Sequence, residues 1–411
     1  MDGRTVLVAG LGVSGVAAAA VLLARGARVL LADAARPAAV DELTGAGAGW
    51  LGAAATVPDG VDLVVTSPGW RPDAPLLADA AVRGVPVVGE PQLAWDLRVP
   101  GPDGVPAPWL AVTGTNGKTT TVTMLEAVLL AAGRRAVAAG NVGRPLVEVV
   151  TAVDEDGAPA CDVVAVELSS FQLHWSSTIA PAAAAVLNVA DDHTDWHGSF
   201  AAYRDAKARV LAHAPVAVAD AGDEVAAALV AAHPHPVTVT LGEPAPGQLG
   251  VRGGVLVDRA FADDPAGEEL LARADLPVPG PHNTVNALAA AALARAAGVP
   301  ADAVARGLAG FSGGAHRNVR VATVAGVDWV DDSKATNPHA AGASLASYDR
   351  VVWIAGGLLK GADVAPLVAA VAPRLAGAVL LGRDRDRIAD ALARHAPSVP
   401  VVTVVSGDDE G

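Results

Sequence analysis

Twice in this chain a short Val- and Leu-rich run breaks into a glycine-bearing turn and reopens as an Ala-rich stretch of helical character. The first run is 6–9, followed by Gly10-Leu-Gly-Val-Ser-Gly15. The second is Trp109–Thr113, followed by Gly114-Thr-Asn-Gly-Lys-Thr-Thr120 and a helix predicted over 118–132. Strand, glycine turn and helix in that order begin the crossover unit of a parallel sheet. Val-rich runs and Ala-rich stretches keep alternating to the end, so the predicted class is α/β with mostly parallel sheets and flanking helices. Aromatic residues are only 3% of the chain, which suits Ala-rich helices packed closely on Val-rich sheets.

At roughly 150 residues per domain, 411 residues make two or three domains. The punctuation of the sequence favours three: 1–98, 99–312 and 313–411. Strands are expected at 6–9, Arg28–Ala32, 61–66 and 85–88 in the first. A Pro/Gly-rich linker, 99–108, opens the second. There, strands Trp109–Thr113, Val163–Glu167 and 184–188 precede helices at 200–212 and 282–297. The third starts with a hairpin, Val319–Val324 and 327–330, and adds strands at 350–355, 378–381 and 401–405. It ends on Ser406-Gly-Asp-Asp-Glu-Gly411, which reads as a helix start with no helix after it. The expectation is a chain that stops inside its last domain, leaving that domain incomplete. A disordered acidic end is the alternative.

Composition removes several classes. The net charge of −15 argues against a nucleic-acid partner, which calls for a basic face. Hydrophobic residues at 52% and charged ones at 18% exclude global disorder. Residues 5–24 carry no charge, but Gly10, Gly12 and Gly15 interrupt them and a second strand pattern follows at once. That sets aside a leader or a membrane span. The single Cys161 forms no internal disulfide, so a reducing, cytoplasmic setting is expected. Of 29 basic residues only Lys118, Lys207, Lys334 and Lys360 are lysine, leaving 25 arginines. A GC-rich coding sequence explains the arginines. The four lysines mark places where a guanidinium fails chemically.

The turn Gly10–Gly15, with Asp33 ending the next strand, suits a pyrophosphate at a helix N-terminus and a ribose hydroxyl on the acid. NAD is the first candidate, and glycines that merely pack helix on strand are the alternative. The turn Gly114–Thr120 has a Gly-Lys-Thr core. Its backbone N–H groups would cradle phosphates, Lys118 would bridge the β- and γ-phosphates and Thr119 would reach Mg²⁺. Position 112 is Val where the strict phosphate-loop pattern has Gly. An ATP-dependent enzyme therefore outranks a dehydrogenase. Glu167, at the end of strand Val163–Glu167, is placed to hold Mg²⁺ or to be a solvated edge residue. His193, in Asn188-Val-Ala-Asp-Asp-His193, is a metal ligand, a phosphate contact or simply exposed.

Taken together, Thr113–Thr120, Glu167-Leu-Ser-Ser-Phe-Gln172, Asn188–His193 and Tyr203-Arg-Asp-Ala-Lys-Ala-Arg209 resemble the ATP-dependent Mur ligase family of peptidoglycan synthesis, relatives of folylpolyglutamate synthetase. Pro279-Gly-Pro-His-Asn283 with Asn286, Gly314-Ala-His-Arg317, Asp332-Ser-Lys-Ala-Thr-Asn337 and Gly356-Gly-Leu-Leu-Lys-Gly-Ala-Asp363 extend the match from residue 6 to about 382. The N-terminal Gly-Leu-Gly-Val-Ser-Gly and the Asp-Ser-Lys-Ala-Thr-Asn segment resemble the branch that adds D-glutamate to UDP-N-acetylmuramoyl-L-alanine.

The resemblance implies three domains: a Rossmann-like one for the UDP substrate, a central ATP-binding one and a Rossmann-like one for the amino acid. It implies amide synthesis through an acyl phosphate, with ATP and two Mg²⁺ ions. ATP would be held by Gly114, Thr115, Asn116, Gly117, Lys118, Thr119, Thr120, Asn283, Asn286, Arg317 and Asp332. Thr119, Glu167, His193 and a carbamylated Lys207 would serve the metals. Lys118, Glu167, His193 and Lys207 form the implied catalytic set. Val13, Ser14, Asp33, Asn141, Ser169 and Ser170 would face the UDP substrate, which reassigns the first turn from NAD. Lys334, Thr336 and Lys360 would hold D-glutamate. The implied state is a cytoplasmic monomer with no nucleic-acid or membrane partner, whose third domain rotates to complete the ATP site.

Three alternatives remain. One is another amino-acid ligase of the Mur or folylpolyglutamate type, and one is an NAD-linked oxidoreductase. The last is a binding remnant that takes nucleotide but ligates poorly, since no counterpart of a Ser-containing amino-acid-pocket segment is visible after 401–405.

Overall fold

A computed structural model describes residues 1–314, 316–359 and 361–404. The strands of the first sheet are β1 (Thr5–Ala9), β2 (Arg28–Ala32), β3 (Gly49–Gly52), β4 (Leu63–Thr66) and β5 (Val87–Gly89). They lie in the order β3-β2-β1-β4-β5, all parallel. The Val and Leu side chains of the central strands β1 and β4 are buried on both faces, as crossover helices require. The order reverses beside β1, so the first glycine turn leaves the sheet at its switch point, where α/β sheets bind ligands.

The second sheet has nine strands. They are β6 (Trp109–Thr113), β7 (Ala136–Gly140), β8 (Val163–Glu167), β9 (Ala183–Val186), β10 (Ala217–Asp220), β11 (Pro236–Val239), β12 (Gln248–Arg252), β13 (Val255–Asp258) and β14 (Glu268–Ala272). The order is β14-β13-β12-β11-β10-β9-β6-β8-β7, parallel from β7 to β12 and antiparallel through β13 and β14. Strand β6 is central, flanked by β8 and β9. The chain ends of these three strands therefore meet around the second glycine turn. Helix Lys118–Ala131 leaves that turn and packs against helix Ala301–Ala309. One apolar core runs through both sheets, from Val6, Val29 and Leu63 to Val164, Val166 and Val186. Helix Glu90–Leu97 supplies Leu93, Ala94 and Leu97 to it.

The described chain forms two compact units: Met1–Ala272 with Asn286–Ala309, and Arg273–Val285 with the residues from Gly310 onward. The second unit holds the antiparallel hairpin β15 (Val319–Val324) and β16 (Val327–Asp331). It also holds a parallel three-stranded sheet of β17 (Val351–Gly356), β18 (Leu375–Leu381) and β19 (Val401–Thr403). Helices Pro338–Leu345, Ala365–Val371 and Arg385–His395 build that unit's core on it. No described helix is long and apolar enough to cross a membrane.

The α/β class and mostly parallel sheets match the expectation, and several bounds shift. The run at 61–66 begins its strand at Leu63, after Asp62 exchanges bonds with Thr5 through its carboxylate and its N–H. The helix expected over 200–212 ends at Ala208, and Arg209–Leu211 tightens into a 3₁₀ turn. The linker closes a turn of its own, with the Gly101 N–H on the Val105 carbonyl. Strands β3, β7 and β10–β14 are absent from the sequence reading. Ala-Val-Ala-Ala-Gly of β7 is poor in β-branched residues and only its place beside β8 makes it a strand. Of the stretch at 401–405, residue 405 lies outside the described residues, as does the helix start at Ser406.

Candidate active site at the phosphate-loop sheet edge

The loop after β6 is braced from the end of β9. The Thr115 N–H donates to the Asn188 carbonyl, and the Asn116 N–H donates to Asn188 Oδ1 at 2.8 Å. Asn188 Nδ2 returns a bond to the Asn116 carbonyl. Thr115 Oγ1 lies 2.9 Å from the Tyr203 hydroxyl, and the Ala190 N–H donates to it. Gly117 opens the helix at φ +82°. A Cβ there would stand 2.4 Å from Asn286 Oδ1, so the turn needs glycine both for its conformation and for Asn286. Asn286 is buried and also accepts from Thr121 Oγ1. Buried Asn283 donates to the Pro279 carbonyl at 2.7 Å.

Two lysines converge on one oxygen. Lys118 Nζ donates to the Gly114 and Thr115 carbonyls at 2.9 and 3.0 Å. Lys207 Nζ, from helix Phe200–Ala208, donates to the same Gly114 carbonyl at 2.8 Å and lies over the Tyr203 ring. Lys207 is 2% exposed. Burial first, and then the Lys118 charge, push its amine well below the usual lysine range, against the opposing pull of Asp192 and Glu167. Burial therefore makes the Lys207 amine easier to deprotonate than an exposed lysine.

Glu167, at the end of β8, is 1% exposed and fully engaged. Its Oε2 accepts from the Thr119 hydroxyl and its Oε1 from Asn141 Nδ2, both at 2.7 Å. The Asn141 N–H also donates to the Glu167 carbonyl. A hydroxyl and a carboxylate in contact at a phosphate loop form a hard-oxygen donor set that fits Mg²⁺. Among the described residues no three His, Cys, Asp or Glu side chains cluster to hold a metal by themselves. His193 stands on the neighbouring turn at φ +54°, with Nε2 3.5 Å from Asp192 Oδ2 and its ring 4.8 Å from that of Phe171.

Ser169 caps helix Ser170–His174 through a capping box with Gln172. The buried Ser170 hydroxyl lies 3.0 Å from His197 Nε2. In the first sheet, Asp33 Oδ2 accepts the Leu11 N–H at 2.6 Å and its Oδ1 accepts the Ala35 N–H. Gly15 has to be glycine, because a Cβ would meet the Gly10 carbonyl at 1.9 Å, whereas the space before Gly12 is open. Val13 is exposed and Ser14 half-buried at that opening. Ser67 Oγ donates to the Gly10 carbonyl. The adjacent Arg71 Nη2 donates to the Asp195 carbonyl at 2.7 Å.

In the second unit, Asp332 Oδ1 accepts the Asn318 N–H, and the Lys334 N–H donates to the His316 carbonyl. His316 Nδ1 pairs with Asp331 Oδ2 at 2.6 Å. Arg317 is half-buried, and Lys334 and Thr336 are exposed. Lys360 lies outside the described residues. The structure thus gathers Thr115, Lys118, Thr119, Asn141, Glu167, Lys207 and Asn286 around one loop. It adds Asn188, Tyr203 and His197, to which the sequence reading gave no role. For Asn188 and Tyr203 the available signal was their place inside motifs already singled out.

A phosphate loop at a parallel-sheet switch point, with a buried acid and a buried lysine beside it, defines a nucleotide-dependent enzyme of the ligase type. The model of the Mur ligase middle domain matches residues 112–294, and that of the MurD-like N-terminal domain of Mur ligases matches 4–89. This chain belongs to the Mur ligase family. The UDP-N-acetylmuramoylalanine–D-glutamate ligase of Rhodococcus jostii (strain RHA1) is 54% identical over the whole chain and 82% of that protein. The enzyme of the same name from Thermobifida fusca (strain YX) is 53% identical, over the whole chain and 89% of its length. Among solved structures, MurF from Acinetobacter baumannii aligns with a TM-score of 0.59 at 18% identity, over 92% of this chain and 82% of that one. UDP-N-acetylmuramate-alanine ligase from Thermotoga maritima aligns at 0.57 and 20%, over 98% and 90%. These two likenesses concern the fold.

Proposed function

We infer that this chain is an ATP-dependent ligase that joins D-glutamate to UDP-N-acetylmuramoyl-L-alanine in peptidoglycan precursor synthesis. The observation that carries the reading is the meeting of Lys118 and Lys207 on the Gly114 carbonyl beside the Thr119–Glu167 pair. The name carried by relatives at 53 and 54% identity supports the choice of amino acid. The chemistry is two substitutions. A carboxylate oxygen of the UDP substrate attacks the γ-phosphorus of ATP and ADP leaves. The D-glutamate amine then attacks the acyl carbon, phosphate leaves, and the nitrogen gives up a proton. Both steps need anions brought together by a protein of net charge −15, so placed cations must do it.

Lys118 leaves the loop carbonyls to meet the β- and γ-phosphates, which the N–H groups of 114–120 cradle. Asn283 and Asn286 serve the adenine side, Arg317 the phosphates and Asp332 the ribose. Thr119, Glu167 and His193 would hold Mg²⁺, two ions in all. When bound, Mg²⁺ neutralises charge on the transferring phosphoryl group. Lys207 would be carbamylated: its amine, once deprotonated, would add to carbon dioxide and lose a further proton, leaving a carboxylate-like group able to serve as a metal ligand with Glu167 and His193. Arginine cannot form that group stably. Val13, Ser14, Asp33, Asn141, Ser169 and Ser170 face the UDP substrate, and Lys334, Thr336 and Lys360 face D-glutamate. The domains of this reading are 1–98, 99–312 and 313–411, in a cytoplasmic monomer.

The test is phosphate release from ATP with UDP-N-acetylmuramoyl-L-alanine across a panel of amino acids. Release with D-glutamate alone is expected. Release with L-lysine or diaminopimelate but not D-glutamate would sink the specificity. For Lys207, the Lys207→Ala protein loses activity and short carboxylic acids restore it. A variant as active as wild type removes the carbamate from the scheme.

A further inference from the structure

The four-residue helix Thr194–His197 is a turn pinned at both ends by left-handed backbone, His193 at φ +54° and Gly198 at φ +81°. For His193 that conformation is strained, and it persists only where the surroundings hold it. Three contacts hold it. His197 Nε2 lies 3.0 Å from the buried Ser170 hydroxyl. The Phe171 ring sits 4.8 Å from His193, 4.9 Å from Trp196 and stacks on His197 at 5.6 Å. Arg71 donates to the Asp195 carbonyl from the first sheet. The His197–Ser170 bond joins two particular turns. Ser170 is three residues beyond Glu167, and His197 is four residues beyond His193.

We propose that His197 is a positioning residue of the metal site, clasping through Ser170 the turn that carries His193 onto the turn that carries Glu167. The proposal rests on the metal role given above to His193 and Glu167. Burial foremost, with the nearby His174 adding to it, pushes the His197 imidazole down from its ordinary value. The ring is therefore a neutral hydrogen-bond partner of fixed geometry rather than a charge. Residues that orient metal ligands in this way commonly change metal affinity ten- to a hundredfold when removed.

The experiment is a Mn²⁺ titration of the ADP-bound protein, followed by electron paramagnetic resonance. His197→Phe keeps a ring on Phe171 and deletes the nitrogen. It should weaken Mn²⁺ binding at least about tenfold, with metal-free ADP affinity and thermal midpoint at wild-type values. Ser170→Ala should match it, the double variant should add nothing, and His197→Gln, which keeps a hydrogen-bonding head, should recover part of the loss. Wild-type Mn²⁺ affinity in His197→Phe overturns the clasp. So does a loss shared equally by ADP affinity and thermal midpoint, which would make His197 a plain packing residue. A wild-type protein that binds Mn²⁺ with ADP yet releases no phosphate with D-glutamate sinks the ligase reading and leaves the clasp standing. One that binds no Mn²⁺ overturns both.

Discussion

At Gly117 one hydrogen in place of a methyl keeps Asn286 beside the phosphate loop. Gly117→Ala puts an alanine into left-handed backbone and drives Asn286 aside, so ADP affinity should fall at least about tenfold. Calorimetric titration at wild-type affinity would show that Asn286 has room to yield. Glu90 carries a different load. Its Oε1 accepts the Val147 N–H at the start of helix Leu146–Thr151, while its buried Oε2 has no hydrogen-bond partner within normal distance among the described residues. Burial foremost, with Glu148 adding to it, pushes Glu90 from the ordinary 4.5 to about 7. A raised carboxyl costs nothing below pH 4.5, costs more as pH climbs toward 7, and costs a constant amount above. Wild type should therefore lose stability relative to Glu90→Gln between about pH 4.5 and about pH 7, on the order of 3 kcal/mol. Parallel denaturation midpoints across that range would remove the ionised Glu90 from the account. At this scale the sequence was informative where chemistry dictates residue type. Lys118, Thr119, Glu167 and Lys207 were all legible and lie together around one loop. The direction of a side chain was not legible. Asn141 turns to Glu167 and Ser170 to His197 because of registers set by residues far away in sequence.

Among the elements, helix Lys118–Ala131 matters most, because it carries the phosphate-loop lysine at its start. Its outer side meets helix Ala301–Ala309 at Gly307, where a Cβ would stand 2.4 Å from Val128 Cα. A backbone atom cannot step aside as a side chain does. Gly307→Ala should cost about 1–3 kcal/mol of stability, read from urea denaturation, and Gly307→Val more. An unchanged midpoint would mean that the two helices separate without penalty. Elements rich in Val and Leu were readable from the chain, and β2, β6 and β8 fall on the expected residues. The Ala-rich strand β7 was not, since Ala favours helix and β7 owes its extended form to β8. The antiparallel tail β12–β14 is short, and the polar turns that set it off carry no crossover signal.

For the whole molecule, the net charge of −15 sets the long-range field met by every anionic substrate. Raising ionic strength from 0.01 to 0.15 M shortens the screening length from about 30 to about 8 Å. Nucleotide association without Mg²⁺ should therefore speed up over that range in stopped-flow measurements. Slower association would mean that Lys118 and its neighbours outweigh the global field. Another molecule-wide property follows from the core that runs unbroken through the first two sheets. Helix Glu90–Leu97 is apolar toward both. Gln92 accepts the Ser177 and Thr178 N–H groups, and Gly89 donates to the Trp175 carbonyl. A seam so tightly grown together is not a place to cut. Chimeras that exchange the first sheet between relatives will have to carry Glu90–Leu97 and its bed on Leu146–Thr151 along with it, so these two halves are inherited as one piece.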